Sequence, residues 1–463
     1  LTALADWIRA LPQRYGKRTL IALGAIALLG LAVRAYVVVN PVEHPGDDSR
    51  AYYALSKALY TEQSFGGAEF EDSSDWSPGA PFLYAASFYA TGGAREGTAR
   101  IVEALLGVAT ILVVFALGWR LGGRAHGRFA GLVAAFAVAV YPPFLHTTGE
   151  LMSEPPAMLT LPAAILAFLW ACDRQADAVV PGMRGQHASW WVWFVPGLLF
   201  GLTAMFRPEY LLVGAAFVLL AAVRGWHARE WRLGLTGAAV LLVALILPIL
   251  PWTVRNLVVL DRVVPISTGG GKALYVGTYL PADGEYQRVK AILAERYMSF
   301  TPIDLDRVDP TPLFDEVAKE HPDLPRDEAL GKIGKENFSK YFDEDPWGYL
   351  AMTVRKVGRM WSSGVGEAMS TTAGRVVQIA LVILGLAGFV LLGLHRRWWE
   401  LIVLATPIAL VTAVGAVSLA APRRNEVLMT LVFPLAGLAL SSALAAIFSG
   451  REWSPEQASS PPS

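Results

Sequence analysis

The sequence predicts an all-α polytopic membrane protein of about ten transmembrane helices, with a small extracytoplasmic cap of helices and some β structure. Three observations predict this. Of the 463 residues, 54% are hydrophobic and only 17% charged, where an ordinary soluble domain carries about 25% charge. Apolar runs recur along the chain, and several approach the roughly 20 residues that cross a bilayer. Lys and Arg gather in alternate short loops between these runs, as the positive-inside rule requires.

The apolar runs are 19–39, 100–119, 129–146, 154–171, 190–206, 209–223, 233–253, 375–394, 399–419 and 427–448. Before the first, residues 1–18 place Leu4, Ile8 and Leu11 at helical spacing among Arg9, Arg14, Lys17 and Arg18, a basic amphipathic helix for a membrane face. The first run is too long for a signal-peptide core, so a retained span is expected. The fifth and sixth runs are short and joined only by Arg207-Pro208, which suggests a broken or re-entrant pair.

Basic residues between runs set the orientation: Arg120, Arg124 and Arg128, then Arg174 and Arg184, then Arg224, Arg229 and Arg232, then Arg396 and Arg397 alternate with poorly basic loops. Both termini are therefore expected in the cytoplasm, with the chain multi-pass in the cell inner (plasma) membrane. Trp190, Trp191, Trp193, Trp398 and Trp399 flank spans where interfacial aromatics belong.

Two segments on the other side are long enough to fold. The first loop, 40–99, predicts a helix from Ser49 to Thr61 and a semi-apolar helix over 82–90. The second, 255–374, predicts an extended Val263 to Thr268 and helices near 285–298, 326–342 and 346–362, together a membrane-resting cap. Residues 375–448 supply the last spans, and 449–463 a disordered cytoplasmic tail.

Composition also excludes classes. A net charge of +0 gives no global attraction to nucleic acid, and the lone Cys172 leaves no disulfide or Cys-based metal site. Seven scattered histidines have no zinc spacing.

The candidate site begins at His44-Pro45-Gly46-Asp47-Asp48, where two adjacent carboxylates emerge from the first span. Either Asp48 or Asp47 reads as a general base; the bland alternative is a cap for the helix that follows. Arg34, Arg207, Arg255, Arg423 and Arg424 break the positive-inside pattern and fall on the same face. An Arg at membrane depth costs about 2.5–3.5 kcal/mol on insertion scales, so each needs a partner or a task. Clustered guanidiniums suit a lipid phosphate, which they grip bidentately. For each taken alone, Arg34 above all, the competing reading is snorkelling to headgroups; for Arg207 and Arg423 or Arg424 it is an ion pair with Glu209 or Glu426. Glu150 and Glu154 on this face order the arginines, hold a divalent cation or bind an acceptor, the first being preferred. The loop Ser267-Thr268-Gly269-Gly270-Gly271-Lys272 fails as a nucleotide P-loop, because Ile266 replaces the first Gly and Ala273 follows the Lys. It still offers backbone N–H groups and Lys272 to a lipid phosphate, or is a plain tight turn.

With a sugar on a polyprenyl phosphate, such a site needs one carboxylate to deprotonate the acceptor hydroxyl and cations to neutralise the leaving phosphate. The outcome is inversion, since retention calls for two carboxyls about 5–5.5 Å apart across the sugar.

An ordered series of motifs resembles the polyprenyl-phosphate-sugar-dependent GT-C glycosyltransferases, the superfamily of protein O-mannosyltransferases and the lipid A aminoarabinose transferase. The stretches are Gly46-Asp47-Asp48 with Tyr52 and Tyr53; Trp76 to Pro81; Tyr141-Pro142-Pro143; Ser153-Glu154; Gly201 to Pro208; and Pro251 to Asn256 running on to Pro265 through Gly270. The resemblance implies a first-loop Asp as base, luminal arginines on the donor phosphate, and a catalytic module over 19–254. Tyr52, Trp76 and Glu154 fall on its motifs and join the substrate-binding candidates. Many relatives carry Asp-Glu where this chain has Asp-Asp followed by Ser49, which leaves Asp47 and Asp48 both open; spacing to Tyr52 favours Asp48. The implied partners are a polyprenyl-phosphate-linked sugar, an extracytoplasmic acceptor (glycan, lipid or protein) and the bilayer. The rival readings are a transporter or flippase of a lipid-linked glycan, and an inactive scaffold in envelope glycan assembly; no internal repeat of the transporter kind is present.

Overall fold

A computed structural model of the chain describes residues 13–41, 47–66, 73–179, 190–227, 230–298 and 310–449. Most of the amphipathic helix expected at 1–18, the turn at 44–46 and the tail lie outside the described residues. The elements are α1 (Lys17–Val39), α2 (Asp47–Thr61), a 3-10 turn Ser73–Asp75, α3 (Gly79–Thr91), α4 (Glu96–Val140), α5 (Pro142–Gly149), α6 (Glu154–Val179), α7 (Trp191–Phe206), α8 (Tyr210–His227), α9 (Trp231–Ile246) and α10 (Leu250–Leu260). They continue with α11 (Gly270–Thr278), a 3-10 turn Leu280–Ala282, α12 (Tyr286–Tyr297), α13 (Thr311–Ala318), α14 (Arg326–Glu344), α15 (Pro346–Ser362), α16 (Glu367–Ser370), α17 (Thr372–Leu394), α18 (Trp398–Val417) and α19 (Arg423–Ser449).

Among the described residues seven helices are long and apolar enough to cross a membrane, or eight if the bent pair α9–α10 is one span. That is fewer than the ten expected, for two physical reasons. The 45-residue α4 carries both the second and the third run, folded back at Gly123. Gly123 has φ +58° and ψ −154°, a combination open to Gly alone. A Cβ on Gly118 would lie 3.0 Å from the Ala130 carbonyl oxygen, so the two legs run side by side. The second reason is α7, which is apolar but only 16 residues long. The chain breaks at Arg207-Pro208, between the end of α7 and the start of α8, and breaks again with a 47° bend between α9 and α10, where Pro248 and Pro251 remove backbone donors.

The cap is helical, and among the described residues there is no strand. The extended segment expected from Val263 is stitched to α10 instead. Asn256 Nδ2 donates to the carbonyls of Val264 (3.0 Å) and Ile266 (3.2 Å), and Trp252 Nε1 donates to Ile266 (2.8 Å). Those bonds take the acceptors that a partner strand would have used.

Burial is uneven across the spans. α6 and α19 form the interior, with 67% and 78% of their apolar windows buried, whereas α1 and α17 lie at the periphery. The first residues of α6 and α19, Glu154 and Arg423, therefore stand at the centre of one end of the bundle. α7 reaches that end by packing tightly on α9: a Cβ on Gly197 or Gly201 would meet the carbonyl oxygens of Leu241 or Leu245 at 2.4 Å. Small residues four apart are the usual device for such an approach.

The contact generates a prediction. Gly201→Val should push α7 from α9 and cost about 1–3 kcal/mol, read as a lower thermal unfolding midpoint in detergent. A variant as stable as the parent would contradict the close packing.

Candidate functional site

The site starts from Glu154, the first residue of α6, with a side chain 0% exposed. A buried carboxylate is costly unless paired, and its Oε1 accepts from two guanidiniums at once. Arg207 Nη1 lies at 2.5 Å and Arg423 Nε at 2.6 Å. Arg207 follows the last turn of α7 in extended conformation and also grips Glu209 (2.8 Å through Nη2). Arg423 opens α19 and reaches on through Nη1 to Asp48 Oδ2. The cluster is thus an alternating chain, Asp48–Arg423–Glu154–Arg207–Glu209, drawn from α2, α19, α6 and the α7–α8 junction.

The placement agrees with helix electrostatics on one side only. Glu154 at a helix N-terminus is favourable, whereas Arg423 at another opposes the dipole and depends on its carboxylate partners. Outside the spans, burial alone would raise the Glu209 carboxyl, but Arg207 and Arg424 pull it down to about 2. Burial likewise opposes charge on Asp48, yet Arg423, Lys272 and Arg207 outweigh it and hold this carboxyl below the usual aspartate value. The Asp48 side chain stays 34% exposed. Burial, with the charges of Asp48 and Glu154, pushes the Tyr52 hydroxyl up to about 12. Tyr52 is packed edge-on against Trp76, ring centroids 5.4 Å apart.

The other expected residues divide. Asp47 opens α2, and its side chain lies outside the described residues. Arg424 acts on Glu209 from behind Arg207, and its Nη1 is buried without a hydrogen-bond partner. Glu426 does not form the ion pair considered for it: both carboxylate oxygens are buried and without hydrogen bonds, because Arg423 turns to Asp48 and Glu154.

Three cations stand apart from the arrangement expected. Arg34 does not reach the membrane surface; it is 1% exposed and donates to the carbonyls of Val138 (3.0 Å), Ala139 (3.3 Å) and Gly30 (3.2 Å). It satisfies the open carbonyls at the end of α4, which apolar surroundings make a strong demand. Arg255 lies over the Trp252 ring (4.9 Å) and donates to Phe65 O (3.1 Å), held in an aromatic cluster rather than in the carboxylate chain. The Gly-rich turn does not present its N–H groups outward: Gly271 N and Lys272 N donate to Asp327 Oδ1 at 2.8 and 3.2 Å. Lys272 itself still acts on Asp48 through its charge.

Sequence reasoning missed what holds Glu154 in place. The 149–154 loop is fastened by Arg100 Nε to Gly149 O (3.1 Å), by Leu151 N to Ser49 Oγ (3.0 Å) and by Met152 N to Glu103 Oε1 (3.0 Å). Tyr84 joins Glu103 and Met152 O. The available signal was a charged pair, Arg100 and Glu103, inside an apolar run. Among the described residues no group of three or more His, Cys, Asp or Glu is placed to hold a metal ion.

Removing one member of a buried ionic cluster leaves its partners uncompensated. Glu154→Gln should destabilise the protein by about 3–5 kcal/mol, measured by thermal unfolding. A loss below about 1 kcal/mol would mean that the two arginines do not depend on Glu154.

Comparisons with known proteins agree with the fold. Residues 75–252 match the family model of dolichyl-phosphate-mannose-protein mannosyltransferase. No curated protein matches the sequence. The oligosaccharyltransferase AglB of Archaeoglobus fulgidus, solved with an inhibitory peptide and a dolichol-phosphate, overlays with a TM-score of 0.55 at 16% identity, covering 95% of this chain and 53% of that one. The same enzyme tethered to an acceptor peptide gives 0.56 at 16% identity, over 96% and 51%. The chain therefore spans about half the length of these structures. ArnT of Cupriavidus metallidurans, bound to undecaprenyl phosphate, overlays at only 0.37 with 15% identity, over 93% and 79%, too loosely to relate residues. Residues 75–252 thus match the family model of dolichyl-phosphate-mannose-protein mannosyltransferase, within a chain that shares the fold of the aligned part of these oligosaccharyltransferase structures.

Proposed function

We propose that the protein is an inverting glycosyltransferase that moves a sugar from a polyprenyl-phosphate donor to an acceptor hydroxyl. The observation that carries this reading is the chain of ion pairs joining Asp48 to Arg423 and Arg207 at one end of the bundle. The match of residues 75–252 to the dolichyl-phosphate-mannose-protein mannosyltransferase family model supports it, as does the dolichol-phosphate bound by the AglB structure of the same fold.

In the reaction, the acceptor oxygen attacks the anomeric carbon and passes its proton to the Asp48 carboxylate. The bond from that carbon to the phosphate oxygen breaks, and its electron pair leaves on the polyprenyl phosphate. Arg423 and Arg207 neutralise that phosphate bidentately, so no general acid is required. Arg424, with an unpaired buried Nη1 behind them, adds to the positive field.

The same geometry couples donor binding to the base. Arg423 is shared between Asp48 and Glu154. A phosphate that engages Arg423 competes with Asp48 for it, and the freed carboxylate becomes more basic. The base is therefore held in check until the donor is seated.

The opposite end supports an orientation: there Arg120 pairs with Asp173 (2.5 Å), Arg224 lies over Trp399 (5.0 Å) and Arg397 donates to Leu121 O. By the positive-inside rule that basic end is cytoplasmic and the Asp48 end extracytoplasmic.

Two outcomes test the reading with polyprenyl-phosphate-linked sugars. Asp48→Asn should cut kcat by about 10²–10⁴-fold, while Arg207→Ala should raise the donor KM by about 10- to 100-fold; undiminished transfer by Asp48→Asn would sink the assignment. The pH dependence has a definite sign. Asp48 is depressed in the free protein, so the acid limb of kcat/KM should lie below the usual aspartate value, about 3.9. The acid limb of kcat, which reports the complex, should lie at higher pH. Coincident limbs would rule out the release of Asp48 by the donor.

A further inference from the structure

Arg34 and Glu103 are buried ionisable side chains that the proposed transfer leaves unused. Arg34 spends Nη1 and Nη2 on the carbonyls of Gly30, Val138 and Ala139, and its Nε is buried with no hydrogen-bond partner in the protein. Glu103 accepts at Oε1 from Met152 N and from the Tyr84 hydroxyl, and its Oε2 is equally buried and without a partner. One orphaned atom is a donor and the other an acceptor.

The two face the same space. A Cβ on Gly107 would lie 2.1 Å from Arg34 Nε, so the guanidinium rests directly on that glycine of α4. Glu103 stands one turn before Gly107 on the same helix face, a spacing of about 5–6 Å between Cβ positions. Arg34, Glu103, Gly107, Thr110, Thr148 and Pro155 line a small cavity there, with room for about one water molecule.

The lining suits a water by its hydrogen bonds. Two bonds of about 2.8 Å each cover the gap from Nε to Oε2. The hydroxyls of Thr110 and Thr148 donate to Leu106 O and Phe144 O, both at 2.8 Å, which leaves their oxygens free to accept. A water in the cavity accepts from Arg34 Nε and donates to Glu103 Oε2 and to a threonine oxygen, about the three bonds that buried waters usually make.

Charge points the same way. A guanidinium held only by carbonyls in an apolar interior lacks a counter-charge, and among the described residues the acidic side chain on this cavity is Glu103. We infer that Arg34 and Glu103 form a water-bridged ion pair, and that Arg34 is thereby a positioning residue for the site. Glu103 Oε1 holds Met152 N at 3.0 Å, two residues before Glu154, and Pro155, which follows Glu154, borders the same cavity. The effect on sugar transfer rests on the transferase reading; the pair itself does not.

Infrared difference spectra of the full chain in detergent test the pair without turnover. Relative to the parent, Glu103→Gln should lose a carboxylate stretch together with one water O–H stretch that moves in heavy-oxygen water. Arg34→Gln, which keeps a donor for the carbonyls, should gain a carboxylic-acid C=O stretch as Glu103 takes up a proton, and adding Glu103→Gln should remove it. Loss of an acid stretch in Glu103→Gln, or no isotope-sensitive water band, would overturn the inference, and Glu103→Gln decides this by itself if Arg34→Gln does not fold. The thermal midpoint of the double variant should fall no further than that of the worse single variant; additive losses would also overturn the pair. With polyprenyl-phosphate-linked sugars, each single variant should raise the donor KM severalfold with little change in kcat, because Glu154 and its arginines shift while the base does not. Unchanged kinetics would remove the positioning role. A parent without transfer activity counts against the transferase reading, while the infrared result still decides the pair.

Discussion

A single fully buried carboxylate, Glu154, accepts from two guanidiniums, and the geometry of one end of the bundle depends on that arrangement. Arg207 and Arg423 repel each other, and Arg423, at the start of α19, sits where its own helix dipole opposes it. Glu154 holds them side by side, and Asp48 and Glu209 occupy their remaining donors. In the low-dielectric interior such a chain is worth keeping only when every member is matched. The 149–154 loop is accordingly fastened by Arg100, Ser49 and Glu103 from elements on three sides of it.

That constraint explains why the two most buried spans begin at the site. α6 and α19 are packed in the middle of the bundle, which fixes their first residues, while helices such as α1 and α17 lie at its periphery. α7 delivers Arg207 through its glycine contact with α9. The outcome is a set of cations held close together, each covered by an internal carboxylate. A preorganised site of this kind loses little to reorganisation when charge leaves on the phosphate. In the proposed reaction, the shared Arg423 would link the two halves of the chemistry, since neutralising the leaving group and releasing the base would become one event.

Much of this was legible in the sequence, and the failures have physical causes. Apolar length found the spans, and the arginines on the sparsely charged face pointed to Arg207, Arg423 and Arg424 because charge at membrane depth demands a partner. Sequence position alone does not say which partner. Arg34 obeyed the same rule by turning inward to the carbonyls at the end of α4, and Arg255 by resting on Trp252 and Phe65. Length could not reveal that the second and third runs share one helix turned at Gly123. β-branched residues suggested strand at Val263 to Thr268, but side chains of α10 claimed its carbonyls. The Gly-rich turn looked ready for an anion, and a distant residue of the same chain, Asp327, fills that role.

The account turns on Arg423 exchanging the Asp48 carboxylate for a lipid phosphate. Infrared difference spectroscopy on adding polyprenyl phosphate reports this directly, with Asp48→Asn identifying the band. The account predicts that the carboxylate stretch of Asp48 shifts as its guanidinium partner leaves, and that the shift vanishes in Asp48→Asn. An Asp48 band unmoved at saturating lipid phosphate would contradict it.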